Sequence, residues 1–295
     1  MPGATAHSIR AMHFAVVAHK TSDTNAALAG AAAALGLSAS VLAPRDALRT
    51  LEPGDIALGR LDVRDELDGV ERGTEELEQL AATGAVLLNP PSALVAAHDK
   101  LLTARILRRA GVPHPRTWLI AEGAPSPAPE LPVVLKPRFG SWGRDVVLCP
   151  TAADLDRELV RFAQRPWFQE HGALAQELIP PRGWDLRVVV SGGQVVGGAR
   201  RVAAPGEWRT NVALGGHIVR ATPPQLAQRL ALEAAAAIRG DLVGIDLLPL
   251  GEGFVVSEVN GAVDFRSAYA LGPGNVFRSA VHELVRVARL RRAAA

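Results

Sequence analysis

The chain has a single cysteine, Cys149, in 295 residues. An intrachain disulfide framework is therefore excluded, and no CxxC pair exists for zinc or dithiol chemistry. Cys149 closes the apolar run Val146-Val147-Leu148, a setting that suits a buried structural thiol better than a nucleophile. No apolar run reaches the ~18 residues of a membrane span and no signal peptide is visible, so the expectation is a cytoplasmic protein without a membrane partner. Charge of one sign is scarce too. The formal net charge is +2, too small to argue for nucleic acid. The basic tail RVARLRRAAA reads as the solvated last turn of a helix. GxSxG and HExxH are absent, and the eight His are scattered, so a zinc site is not expected.

What is present is ordinary globular material, 48% hydrophobic, enough for two domains or three small ones. In the first 95 residues strands alternate with helices: HFAVVA, an Ala-rich helix behind Ser22 and Asp23, SASVLAP, DIALGR, GTEELEQLAATG, AVLLNPP. That alternation predicts a parallel α/β unit, and this stretch contains neither GxGxxG nor GxxxxGK[ST]. HDKLLTARILRRAG is an amphipathic helix with Asp99 as its cap, and His98 reads as a helix-start residue. A proline-rich surface loop, AEGAPSPAPELP, precedes VVLKPRFGSWGRDVVLC, two short strands around a glycine loop, and then a helix capped by Thr151. From about residue 166 longer hairpins take over: DLRVVVSGGQVVGGARRV turns at Ser191-Gly192-Gly193, and DLVGIDLLPLGEGFVVSEVN turns at Gly251-Glu252-Gly253. The expected division is 1–95, 96–165 and 166–295.

With Glu252 at the centre of the second hairpin, residues whose numbers add to about 504 face one another. Asp246 then lies across from Glu258, and Asn260 shares the face of Glu258. Two facing carboxylates repel unless a cation or a shared proton compensates. With an amide oxygen they form an all-oxygen set that suits Mg2+ carrying phosphates. A slipped register, with both acids in solvent, is the other reading of the same residues. Gly140 to Gly143 can present backbone N–H groups to a phosphate that Lys136 also reaches, or can be a plain hairpin turn. Trp142 is either a lid or a surface residue. Glu177 and Leu178, after an apolar strand, offer backbone groups to an adenine edge or merely connect two units. Arg187, Arg200 and Arg201 converge on the same region and suit an anionic substrate, or lie on a solvated strand face.

Taken in order, these parts resemble the ATP-grasp superfamily, and within it the RimK/LysX branch of carboxylate–amine ligases. The stretches that carry the resemblance are NPPSALVAAHDKLLTARILRRAGVPHPRT, PVVLKPRFGSWGR, GWDLRVVVSGGQVVGGARRV, WRTNVALGG and GIDLLPLGEGFVVSEVNGAVDF, which cover residues 89 to 270. The GSWGR, WRTN and EVN…DF contexts look nearer to LysX than to RimK. The resemblance implies an α/β (α+β) chain: a Rossmann-like leading domain, then two α+β subdomains that clasp ATP. It implies that Lys100 and Lys136 contact the phosphates, that Gly140, Ser141, Trp142 and Gly143 fold over them, and that Glu177 and Leu178 form the adenine hinge. Asp246, Glu258 and Asn260 would hold Mg2+, two ions in the usual case, with Mn2+ as a substitute. Arg187, Arg201 and Asn211 would bind the acyl phosphate and substrate. The implied reaction joins glutamate or an α-aminoadipate-like amino acid to a carboxylate of a carrier protein, peptide or protein tail, in a dimeric or tetrameric enzyme. A carboxylate kinase and a non-catalytic ATP/Mg2+-binding module are the alternatives. Two departures stand out. Pro180-Pro181 occupies the place of an acidic or polar ribose neighbour, for which Asp185 is the candidate replacement, and Gly261 follows Asn260 where LysX-type sequences carry His.

Overall fold

Four short apolar runs in the first ninety residues build one parallel sheet. The computed structural model describes residues 11–121 and 128–294. Strands β1 (His13–Val17), β2 (Ser38–Leu42), β3 (Ile56–Gly59) and β4 (Val86–Leu88) lie in the order β2-β1-β3-β4, every pairing parallel. Runs such as Ile56-Ala57-Leu58-Gly59 are buried along their whole length, as strands covered on both faces must be. Helices α1 (Asp23–Ala33), α2 (Pro44–Thr50) and α3 (Thr74–Ala82) connect them. Ser22 caps α1 by accepting from the backbone of Asn25.

Two helices lead out of this sheet, α4 (Pro91–His98) and α5 (Lys100–Arg109). Asp99 separates them, and its carboxylate accepts from the Leu101 and Leu102 N–H groups to start α5. The cap expected from the sequence is there, but His98 ends the preceding helix instead of opening this one. A division after residue 95 would fall inside α4.

The second sheet is antiparallel: β5 (Thr117–Ile120), β6 (Val133–Pro137), β7 (Val147–Cys149) and, beyond α6 (Ala152–Ala163) and α7 (Pro166–His171), β8 (Ala173–Glu177). The order is β5-β8-β6-β7, so β8, expected in the last third of the chain, belongs to the middle sheet. Within the proline-rich stretch, residues 122–127 lie outside the described residues. Cys149 is fully buried in this sheet, and burial raises its pKa, which leaves an inert thiol.

The third sheet runs β11-β10-β9-β12-β13, from β9 (Trp184–Ser191), β10 (Gln194–Val202), β11 (His217–Arg220), β12 (Leu242–Leu250) and β13 (Gly253–Asn260), with α8 (Gln225–Ile238) on one face and α9 (Val276–Ala294) closing the chain. Helix α9 packs on β9 and β10 and also on α1 and β4, so one core of Phe14, Leu28, Ile56, Val189 and Leu284 joins the first sheet to the third. No helix among the described residues is long and apolar enough to cross a membrane.

The β12–β13 hairpin sets the site, and its register has two compensating irregularities. The turn is Gly251-Glu252, one residue shorter than expected, so Leu250 pairs with Gly253 and Leu247 with Val256. A bulge at Ser257 then adds one residue, which restores Asp246 opposite Glu258 and Gly244 opposite Asn260. Gly244 is required there by space: a Cβ would stand 2.3 Å from Val263 Cγ2, and Val263 is buried. Gly244→Ala is therefore expected to cost about 1–3 kcal/mol through overpacking and to lower the thermal midpoint. A melting curve that matches wild type would contradict this account of the loop after Asn260.

Candidate active site

A cavity of about 590 Å³ opens between the three sheets, and the site candidates from Lys100 to Asn260 line it, with the exception of Arg200. Strand alternation turns Arg200 to the other face of β10, where it is exposed and lies over the Trp184 ring at 4.2 Å. The wall on one side is cationic. Lys100, the first residue of α5, donates to the Gly140 carbonyl at 2.6 Å and lies 2.7 Å from Glu258 Oε1. Lys136, near the end of β6, is buried, and its ammonium donates to Gln176 Oε1 at 2.7 Å. Burial pushes the Lys136 pKa down to about 8, against the opposing pull of the Glu258 carboxylate. A lysine has three N–H donors, so a buried ammonium with one side-chain acceptor retains donors for an incoming anion.

The glycine loop crosses the mouth. Trp142 and Gly143 both have positive φ, 62° and 73°, and a Cβ on Gly143 would approach Asn211 Oδ1 to 2.9 Å. The loop is tied on two sides. Arg144 reaches Asp65 of the first unit at 3.4 Å, and Arg209 of the third donates to the Val146 carbonyl at 3.1 Å. Asn211 thus sits against this loop. Ser141 lines the same turn, and Trp142 remains 52% exposed at the rim.

The opposite wall is acidic but compensated. Arg187 on β9 binds Asp246 with both prongs, at 2.7 and 2.8 Å. Arg201 on β10 donates to Asp246 Oδ2 at 2.8 Å and to Asp185, whose carboxylate also accepts from Thr210 Oγ1 at 2.6 Å. Burial alone would raise the Asp246 pKa; the charges of Arg187 and Arg201 overcome it and hold the carboxyl well below the usual range. Glu258 is balanced in the same way, with burial opposed by Lys100. The facing acids therefore do not wait for a metal: arginine and lysine already neutralise them.

These contacts give a structural task to three of the expected site residues. Arg201 gives its Nε and one terminal nitrogen to two aspartates, and so anchors the wall. Arg187 is likewise committed to Asp246. Asp185 lines the same cavity, and its carboxylate accepts from Arg201 and Thr210. Glu177 ends β8 and accepts from the backbone and guanidinium of Arg116, and Leu178 follows with its N–H on the Pro132 carbonyl at 3.4 Å. His98, expected to be structural, is buried against the Leu61 carbonyl at 3.0 Å, and burial lowers its pKa.

The donor set still fits a hard cation. Asp246 Oδ1 receives one hydrogen bond while Oδ2 receives two, so Oδ1 retains an acceptor site. Glu258 meets Lys100 through Oε1, and Asn260 uses its amide nitrogen on the Gly244 carbonyl at 3.5 Å, leaving its oxygen available. Among the described residues no three His, Cys, Asp or Glu side chains converge to hold a metal alone. A Mg2+ ion here would rest on Glu258, Asn260 and Asp246 Oδ1 together with phosphate and water, its common mode of binding.

The sequence reading missed Gln176, His114 and Thr210. Gln176 pairs with Val134 across β6–β8, which puts it on the face of Lys136. Two helices separate β6 from β8, so nothing local in the chain announces that register.

Three sheets around one cleft, with lysines on one wall and an Asp/Glu–Asn pair on the other, are the ATP-grasp architecture. A profile of the RimK-like ATP-grasp domain matches residues 97–271. The chain belongs to the RimK-like ATP-grasp family. It is 31% identical over 225 residues to a protein of Sulfurisphaera tokodaii named Glutamate--LysW ligase ArgX, covering 72% of this chain and 78% of that protein. It is 32% identical over 200 residues to a probable alpha-L-glutamate ligase of Pseudomonas paraeruginosa, covering 64% of each, so the match spans just under two thirds of that relative's length. The fold is shared with the RimK-domain ATP-grasp protein of Sphaerobacter thermophilus, at a TM-score of 0.64 and 22% identity over 93% of this chain and 99% of that one.

Asp246→Asn is expected to destabilise the ligand-free protein by roughly 3–5 kcal/mol, because two buried guanidinium groups lose their shared anion. Chemical denaturation measures it; an unchanged or raised midpoint would show that the facing acids, not the arginines, dominate this wall.

Proposed function

We propose that the protein is an ATP-dependent carboxylate–amine ligase that adds glutamate, or an acidic amino acid like it, to a carboxylate of a carrier protein, peptide or protein tail. The observation that carries this reading is the convergence of Lys100, Lys136, the glycine loop and the Asp246–Glu258–Asn260 wall on one cavity. The names of the two relatives, both glutamate ligases, support glutamate, and one of them names LysW as acceptor. In this reading the γ-phosphoryl group of ATP passes to the substrate carboxylate. An amine then attacks the acyl phosphate, forming an amide and releasing phosphate. Bound Mg2+ supplies Lewis-acid neutralisation of the phosphate oxygens.

The chain's own residues supply position and charge, which is most of what phosphoryl transfer needs. Lys136 offers its remaining N–H donors to the phosphates from the strand side, and Lys100, which holds Glu258 and the Gly140 carbonyl, offers its third from the helix side. Gly140 to Gly143 bring backbone N–H groups over the same oxygens. Glu177 and Leu178 present the chain at the end of β8 to the adenine edge. Arg187 and Arg201, held in place by Asp246 and Asp185, stand beside the reacting carboxyl with guanidinium N–H groups that the aspartates do not use. The loops 138–145 and 203–216 meet through Arg209 and Asn211, and their closure keeps water from the acyl phosphate.

With ATP, Mg2+, glutamate and a pool of carboxylate acceptors, the products are expected to be ADP and phosphate in proportion to amide formed. AMP and pyrophosphate would rule out the acyl-phosphate route. ADP formed with release of acyl phosphate and no amide would favour the carboxylate kinase.

A further inference from the structure

His114 stands in the turn between α5 and β5 and touches two other elements. Its Nδ1 lies 2.6 Å from the Val256 carbonyl oxygen, which only accepts, so Nδ1 carries the proton. Burial, with help from the nearby Lys136 charge, holds its pKa down at about 4, so the ring is neutral and Nε2 is a bare acceptor. That Nε2 lies 3.3 Å from the side-chain nitrogen of Gln176, which therefore donates to it. The same NH2 group donates to Thr117 Oγ1 at 3.0 Å, and Thr117 has spent its own proton on the Pro115 carbonyl, also at 3.0 Å. Both amide hydrogens of Gln176 thus have acceptors, and its oxygen is left facing the Lys136 ammonium at 2.7 Å. Reversing the amide would set NH2 against NH3+, would set the oxygen against the bare His114 Nε2, and would draw the Thr117 proton away from the Pro115 carbonyl. Gln176 is only 5% exposed, so either fault would leave a nearly buried polar group without its partner.

We infer that His114 is a positioning residue: as a neutral acceptor it fixes the direction of the Gln176 amide and thereby holds the Lys136 ammonium in the cavity. The inference rests on the reading that Lys136 meets the triphosphate of ATP. The chain of contacts also spans the cleft wall. His114 is bonded to Val256 on β13, and the Val256 N–H returns to the Pro113 carbonyl at 2.9 Å. Val256 precedes Glu258 by two residues, across the Ser257 bulge. One histidine therefore ties the lysine of the middle sheet to the strand that carries Glu258 and Asn260.

The test is equilibrium binding of ATP with Mg2+ by calorimetry, at pH 7.5, to the full chain. His114→Leu is expected to weaken binding about tenfold, the scale of a charge-assisted hydrogen bond. In the Gln176→Leu background no amide remains for the histidine to orient. There, adding His114→Leu is expected to change binding less than threefold. Equal losses in the two backgrounds, or no loss in either, would overturn the inference, since a purely structural histidine would matter alike in both. If His114→Leu does not fold, Thr117→Val removes the amide's other acceptor and is read by the same comparison. Lys136→Ala serves as the separate arm. If it binds ATP as wild type does, the assignment of Lys136 fails and the inference fails with it; if it binds weakly while the His114 arm is silent, the inference alone fails.

Discussion

Asp246 is shared by two arginines, Arg201 buried and Arg187 partly so, and the acidic wall of the cavity hangs from that shared ion pair. Arg187 comes from β9 and Arg201 from β10, so one carboxylate on β12 pins three adjacent strands at the height of the site. Asp185 completes the set by holding Arg201 from its other side. A buried charge set of this kind need not add net stability, because desolvation offsets much of the attraction. Its effect is geometric. It fixes where Asp246 Oδ1 can point, and it leaves Glu258, directly opposite across the hairpin, to be balanced by Lys100 from another part of the chain.

That second pairing matters for closure. Lys100 is bonded at once to Glu258 on β13 and to the Gly140 carbonyl of the glycine loop. A ligand that supplies its own negative charge and its own cation would relieve both contacts, since phosphate suits Lys100 and a metal suits Glu258. Each wall therefore serves as the other's counter-charge. Asp65 and Arg209 hold the loop across the mouth from its two neighbours meanwhile.

The candidate site was legible in the sequence to the extent that it depended on local pattern. Lys136 before the glycine loop, Asp99 before Lys100, and the glycine turns of both hairpins follow from residue type and spacing. Asp246 opposite Glu258 was read from a turn centre that the structure places differently, and the Ser257 bulge is what makes the pairing hold. Long-range partners were not legible. The arginine–aspartate set requires knowing that β12 lies beside β9, and Gln176 requires β8 to insert between β5 and β6. Neither adjacency has a signal in a single chain, because the connecting segments fix no register. The short elements α7 and β11 were missed for a related reason: six and four residues carry too little periodicity to stand out.

The central claim is that this cavity binds a nucleotide through its cationic wall and a divalent cation through its acidic one. Calorimetric titration with a non-hydrolysable ATP analogue, with and without Mg2+, on wild type and Glu258→Gln tests it most directly. The account predicts that Mg2+ strengthens binding to wild type by tenfold or more, on the scale of one charge-assisted contact, and that Glu258→Gln loses most of that gain while still binding the metal-free analogue. An equal Mg2+ effect in both proteins would put the cation elsewhere and contradict the account.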